Sequence, residues 1–178
     1  MIEEIKKYDK NFNEDLFLSN TDHIFIMILD AIMDKNITNV KHYITENVFT
    51  SLNNLVTTYI NNNKTRLFDE MNIKSTKIIN YNIDNNMINI EVLLTSRYMD
   101  YFIDENGKYI EGINDHRIEK NYHIILSKNI NAEKLKEART CQNCGATLDI
   151  NASGICPFCK KIIDLKNKEY IISKIDTI

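Results

Sequence analysis

The spacing of apolar residues changes once along this chain, from a helical period near 3.6 to a strand period of 2, and that switch restricts the fold more than any motif. Before the switch, Leu52, Leu55, Val56, Tyr59 and Ile60 fall on one continuous helical face, which ends at Asn61-Asn62-Asn63. Ile24 to Met33 is apolar on nearly all sides, predicting a buried helix, with Ser19 and Asp22 spaced as a capping box at its start. Residues 1–18 read as a lead-in helix and Val40 to Ile44 as a short one. After the switch, Met71, Ile73, Ile79, Tyr81 and Ile83 share one parity, interrupted by Ser75 and Lys77. Asp84-Asn85-Asn86 predicts a turn, and Ile88, Ile90, Val92 and Leu94 a second strand. Asn106-Gly107 is a strong hairpin signal, and Ile118, Tyr122, Ile124 and Leu126 mark a last strand. Helices first and a strand meander after predict an α+β layout: a curved antiparallel sheet with helices packed on its concave face.

With 178 residues, the chain has room for one ordinary domain and a small appendage. Four glycines and one proline are few, which favours long regular elements. The net charge of −3 is divided, with acidic residues in excess over 1–128 and basic residues slightly in excess over 129–178. No basic stripe stands out, which argues against nucleic acid as the main partner. The opening Met1 to Lys7 is too charged for a signal peptide, and the longest apolar run, Ile24 to Leu29, is too short to cross a membrane. The expected location is therefore cytoplasmic, either free or held peripherally at a membrane, with no transmembrane segment.

All four cysteines lie close together as two C-x-x-C pairs, Cys141 with Cys144 and Cys156 with Cys159. Without a secretion signal, that pattern favours metal over disulfides. Each pair lets two thiolates reach one ion from a single turn, and four sulfurs at about 2.3 Å make a closed tetrahedral zinc site. Gly145 supplies a position where positive φ costs little, and Asn151-Ala152-Ser153-Gly154 suits a turn between the pairs. One structural Zn2+ is expected, folding a ribbon that could not build its own core. A closed site leaves no open coordination position for catalysis. The expected division is an α+β domain at 1–128, a linker at 129–137 and the ribbon with the C-terminal segment at 138–178. In that last segment Ile171, Ile172, Ile175 and Ile178 read as one face of a short helix.

Several stretches resemble a bacterial family. Asp9-Lys10-Asn11-Phe12, then Phe17-Leu18, resembles its opening "D-P-N-F…F-L". Ser96 to Asp104, with Gly107 and Glu111-Gly112, resembles "S-R-x-x-D-Y…D…G-x-x-x-x-G". Cys141 to Ala146, with Asn151 to Gly154 and Cys156, resembles its ribbon, and Glu169 to Ile175 resembles the closing "E-Y-x-W-V-L-S-x-I". The family is similar to the C-terminal domain of mitochondrial inner-membrane translocase subunit 44, with a zinc ribbon added. The resemblance implies a cone of the nuclear transport factor 2-like type, and a partner that is a protein, a peptide or a membrane surface. It also implies homodimers formed through the open face of the sheet. This chain departs from the pattern in having no Trp, Gln142 in place of Pro, and Lys160 in place of a second Gly.

The favoured function is a non-enzymatic zinc-binding interaction module, with no catalytic or cofactor-binding residues assigned. His23, His42, His116 and His123 are scattered, and Asp115-His116-Arg117 reads as a solvated turn or strand start. One alternative is proton transfer in an apolar cavity, for which Asp100 and the nine tyrosines supply suitable residue types, although Tyr98, Tyr101 and Tyr122 read more simply as sheet-face packing residues. It requires an aspartate with a raised pKa in a pocket. The other alternative is binding of nucleic acid or transcription machinery through Phe158, Lys160, Lys161, Lys166 and Lys168 of the ribbon.

Overall fold

The structure, a computed structural model, describes residues 1–131 and 169–178. Helices α1 (Ile2–Tyr8), α2 (Glu14–Met33) and α3 (Glu46–Asn61), with a 3-10 turn at Ile37–Val40, precede strands β1 (Thr65–Asp84), β2 (Met87–Ile103), β3 (Tyr109–Asn129) and β4 (Ile171–Thr177). The strands form one antiparallel sheet in sequential order. The α+β meander expected from the change of period is what forms.

The helical boundaries differ from expectation. Residues 1–18 are two helices rather than one, because Asp9 is extended and Asn13 opens α2 by accepting from the Leu16 amide at 2.9 Å. Ser19 and Asp22 are interior to α2, where Phe17, Thr21, Ile24 and Ile28 continue a buried face. Asp22 accepts instead from the Thr76 hydroxyl, tying α2 to β1. The short helix expected at Val40 to Ile44 is displaced: the 3-10 turn ends at Val40, and Ile44 is fully buried in a bridge to Ile172. The end of α3 is as expected, with Asn63 at φ 51° and the Lys64 amide bonded to the Tyr59 carbonyl at 2.9 Å.

The interrupted parity of β1 has a physical cause. Register shifts lie between Asp69 and Asn72, Ile73 and Ser75, and Ile78 and Asn80. Each shift adds one residue to β1 and so changes which parity faces the helices. Thus Ile73, Thr76, Ile78, Tyr81 and Ile83 lie opposite Ser96, Leu94, Val92, Ile90 and Ile88, while Ile79, expected inside, is 48% exposed. Bulges also bend and twist a strand, so the sheet is curved, and they blunt this long edge against pairing with other chains. Asn85 and Asn86, both at positive φ, make the two-residue turn into β2.

Strands β2 and β3 extend well beyond their apolar alternation, as far as the Asp104–Gly107 hairpin. Asp104 accepts from the amides of Asn106 and Lys108, both at 2.9 Å, and Gly107 takes φ 79°. The core lies between α2 and the sheet: Phe25, Ile28 and Ile32 join Ile88, Ile90, Val92, Leu94, Ile124 and Leu126, all nearly inaccessible. By length and composition α2 is the one described helix that could cross a membrane. In this fold eight of its side chains are buried in the core.

The C-terminal segment is not the short helix expected: Ile171–Thr177 is a strand that pairs along β3, with Ile175 opposite Ile124 and Ile172 opposite Leu126. The open edge of β3 offers unpaired amides and carbonyls, and an Ile-rich segment satisfies them while covering apolar surface. The first unit is thus discontinuous in sequence, and residues 132–168 connect its last two strands.

Candidate functional site

Asp100 lies on β2 and faces the helices. Arg66 holds it in a fork, Nε to Oδ1 and Nη2 to Oδ2 both at 2.8 Å, and Lys120 reaches Oδ2 at 2.8 Å. Tyr59 of α3 accepts from Arg66 Nη1 at 3.1 Å. Burial alone would raise the carboxyl pKa, but the two cations outweigh it and hold Asp100 below the usual carboxylate range. Arg66 responds in the opposite sense: burial pulls it down, and Asp100 holds it above its ordinary value. An ionised carboxylate consumed by two cations is a poor proton acceptor. The raised pKa that proton transfer requires of Asp100 is therefore contradicted. Tyr98 and Tyr122 are hydrogen-bonded to each other in the core, and burial followed by that bond pushes the Tyr98 hydroxyl far up. Tyr101 points to the other face and donates to Asp69.

A different site is built where the chain's ends meet. Between α1 and α2 the backbone turns sharply, with the Phe12 amide bonded to the Asp9 carbonyl at 3.0 Å. This turn places Asp9 against the end of β3 and the start of β4. Asp9 Oδ2 accepts from Lys128 Nζ at 2.7 Å and from the Tyr170 hydroxyl at 3.1 Å. The carboxylate is buried, and its Oδ1 has no hydrogen-bond partner. Phe12, Phe17 and Tyr170 pack as an aromatic trio, with ring centroids 5.0 to 5.9 Å apart. Burial and then the Asp9 charge raise the Tyr170 pKa, so its phenol stays protonated and a donor. Beside this cluster lies a cleft of about 390 Å³, whose walls include Ile24, Leu126 and Ile171 and whose lining includes His23, His42, Tyr43 and Glu169.

Sequence reasoning did not find this cleft, although its two halves carry the opening and closing stretches of the family resemblance. Their convergence needs the pairing of β4 with β3, which the helical reading of the last segment concealed. The structure brings His23 and His42 to one cleft and leaves His116 and His123 elsewhere. His123 bonds Glu91 at 2.8 Å on the far face of the sheet. Asp115-His116-Arg117 is a stretch of β3 where residues 114–117 oppose Met99 alone, and all three are exposed. Cys141, Cys144, Cys156 and Cys159, and the ribbon residues Phe158, Lys160, Lys161, Lys166 and Lys168, lie outside the described residues. Among the described residues no group of three or more His, Cys, Asp or Glu could hold a metal ion.

These features define an α+β domain of helices packed on a curved, bulged four-stranded sheet, with a C-x-x-C-bearing segment inserted before its last strand. The chain matches the Tim44-like domain over residues 1–137, and it belongs to that family. No curated protein shows significant similarity to it.

Proposed function

We propose that the chain is a non-enzymatic interaction module that docks a protein, a peptide or a membrane surface through its sheet domain and carries one structural zinc ion. Its membership of the Tim44-like family supports docking at protein or membrane surfaces. The observation that carries the non-enzymatic part is Asp100, whose carboxylate is engaged by Arg66 and Lys120. Zinc rests on chemistry: four thiolates in two C-x-x-C pairs suit Zn2+ and leave no reactive coordination position.

Crosslinking in the native cell and flotation with anionic vesicles test the docking. A stoichiometric crosslinked protein, or chain rising with the vesicles, supports it; a chain found with neither sinks it. Native mass spectrometry of the protein purified without chelator tests the metal. One zinc per chain is expected, and a metal-free chain lighter by the hydrogens of two disulfides would overturn the site.

A further inference from the structure

We propose that the cleft beside Asp9 is a binding site for a small organic ammonium ion with an apolar body. The inference stands apart from the docking function, and either can fail without the other. The volume of about 390 Å³ suits a small molecule rather than a peptide helix. Phe12 and Phe17 beside the cleft offer ring surface to an apolar body, and Tyr170 adds a third ring whose hydroxyl is already committed to Asp9.

The charge inventory selects the sign of the ligand. The lining carries two carboxylates, Asp9 and Glu169, against one ammonium, Lys128, so one negative charge is left over with the histidines neutral. Lys128 is spent on Asp9, and Glu169 forms no ion pair among the described residues. Asp9 itself is only half used. Both of its hydrogen bonds go to Oδ2, while Oδ1 is buried without a partner, although the side chain is just 5% exposed. A buried carboxylate oxygen in that state calls for a donor. A ligand N–H at Oδ1 after a small turn of the carboxylate, with the cation near Glu169, answers both the missing donor and the surplus charge. A carboxylate ligand would meet two like charges and find its best cation already paired.

Titration calorimetry with phenethylammonium and with 3-phenylpropionate, which have similar apolar bodies and opposite charges, decides the matter. Phenethylammonium is expected to bind about tenfold tighter, the ratio that one charge-assisted hydrogen bond can supply. Glu169→Gln, at an exposed position, should reduce that ratio several-fold, and Asp9→Asn should remove it. If Asp9→Asn does not fold, Glu169→Gln carries the test. The proposal is overturned if neither compound binds, if the carboxylate binds as well as the amine, or if the preference is undiminished in Glu169→Gln.

Discussion

At Gly112 the sheet has no room for one more carbon. A Cβ there would lie 2.5 Å from the Asp100 carbonyl oxygen and 2.5 Å from Tyr101 Cα, and the backbone sits at φ 109°. Both obstacles are backbone or tied to it, so neither can move aside cheaply. Gly112→Ala is expected to destabilise by about 3 kcal/mol, combining a strained φ with overpacking, measurable as a lower urea midpoint at unchanged m-value. Asp100, across the ladder from Ile113, sets a second residue-scale prediction. Its folded pKa is depressed, so it contributes stability that is fully present above the unfolded value of about 3.9 and is lost as pH falls through the folded value. Asp22 acts in the opposite sense, because burial, only partly offset by Thr76, raises its pKa. Asp100→Asn should therefore cost about 3 kcal/mol at neutral pH by leaving Arg66 and Lys120 unpaired. Its melting temperature should also fall less steeply than that of the unmodified chain below about pH 4. An unchanged acid slope would mean that other carboxylates govern acid unfolding.

Among the elements, β4 is the least conspicuous in sequence and the most consequential in structure. Ile172 is fully buried, and its backbone bonds to Tyr43 and Thr45 at 2.9 Å each, so β4 is held by β3 on one side and by the start of α3 on the other. Ser173 adds a hydroxyl bond to Ser127 at 2.7 Å. Ile172→Ala should cost about 3 kcal/mol, within the usual range for a buried isoleucine. A chain ended at residue 131 would expose Ile44, Ile124 and Leu126 and leave Asp9 without Tyr170. It is expected to lose its cooperative thermal transition, as calorimetry would show. Replacing residues 132–168 with a flexible linker should restore that transition, because the linker then only has to close the loop between β3 and β4. A truncated chain that melts like the whole one would show that β4 is dispensable.

On the scale of the whole molecule, the two faces of the sheet differ in kind. One is the core. The other carries side chains bonded to each other across strands: Asn82 with Asn89, Asn89 with Ser127, Ser127 with Ser173, and in the next row Asn80 with Glu91 and Glu91 with His123. Such bonds satisfy the polar groups of this face in water. Light scattering over a wide concentration range is expected to return the mass of one chain; a dimer would restore the sheet-face pairing that the family resemblance implies. The proposed zinc belongs to this scale as well. Ordering the segment between β3 and β4 would shorten the loop that β4 closes, and each halving of a loop is worth about 0.6 kcal/mol. Chelation should therefore lower the melting temperature of the sheet domain by only a few degrees.

The amino-acid sequence by itself determined that helices precede a strand meander, because apolar period is a local property that each element carries in its own residues. It also marked the Asn-rich helix end and both hairpin turns, where single residues must accept unusual φ. It placed the four cysteines at metal-ligand spacing. Only the tertiary structure decided the rest. Bulges in β1 change the facing parity at positions that only pairing with β2 defines. The last segment became a strand because β3 presented an open edge, something no local pattern of isoleucines can announce. The cleft at Asp9, Lys128 and Tyr170 exists because that pairing brings together groups more than a hundred residues apart, and whether Asp100 acts as base or anchor depends on neighbours supplied by other strands.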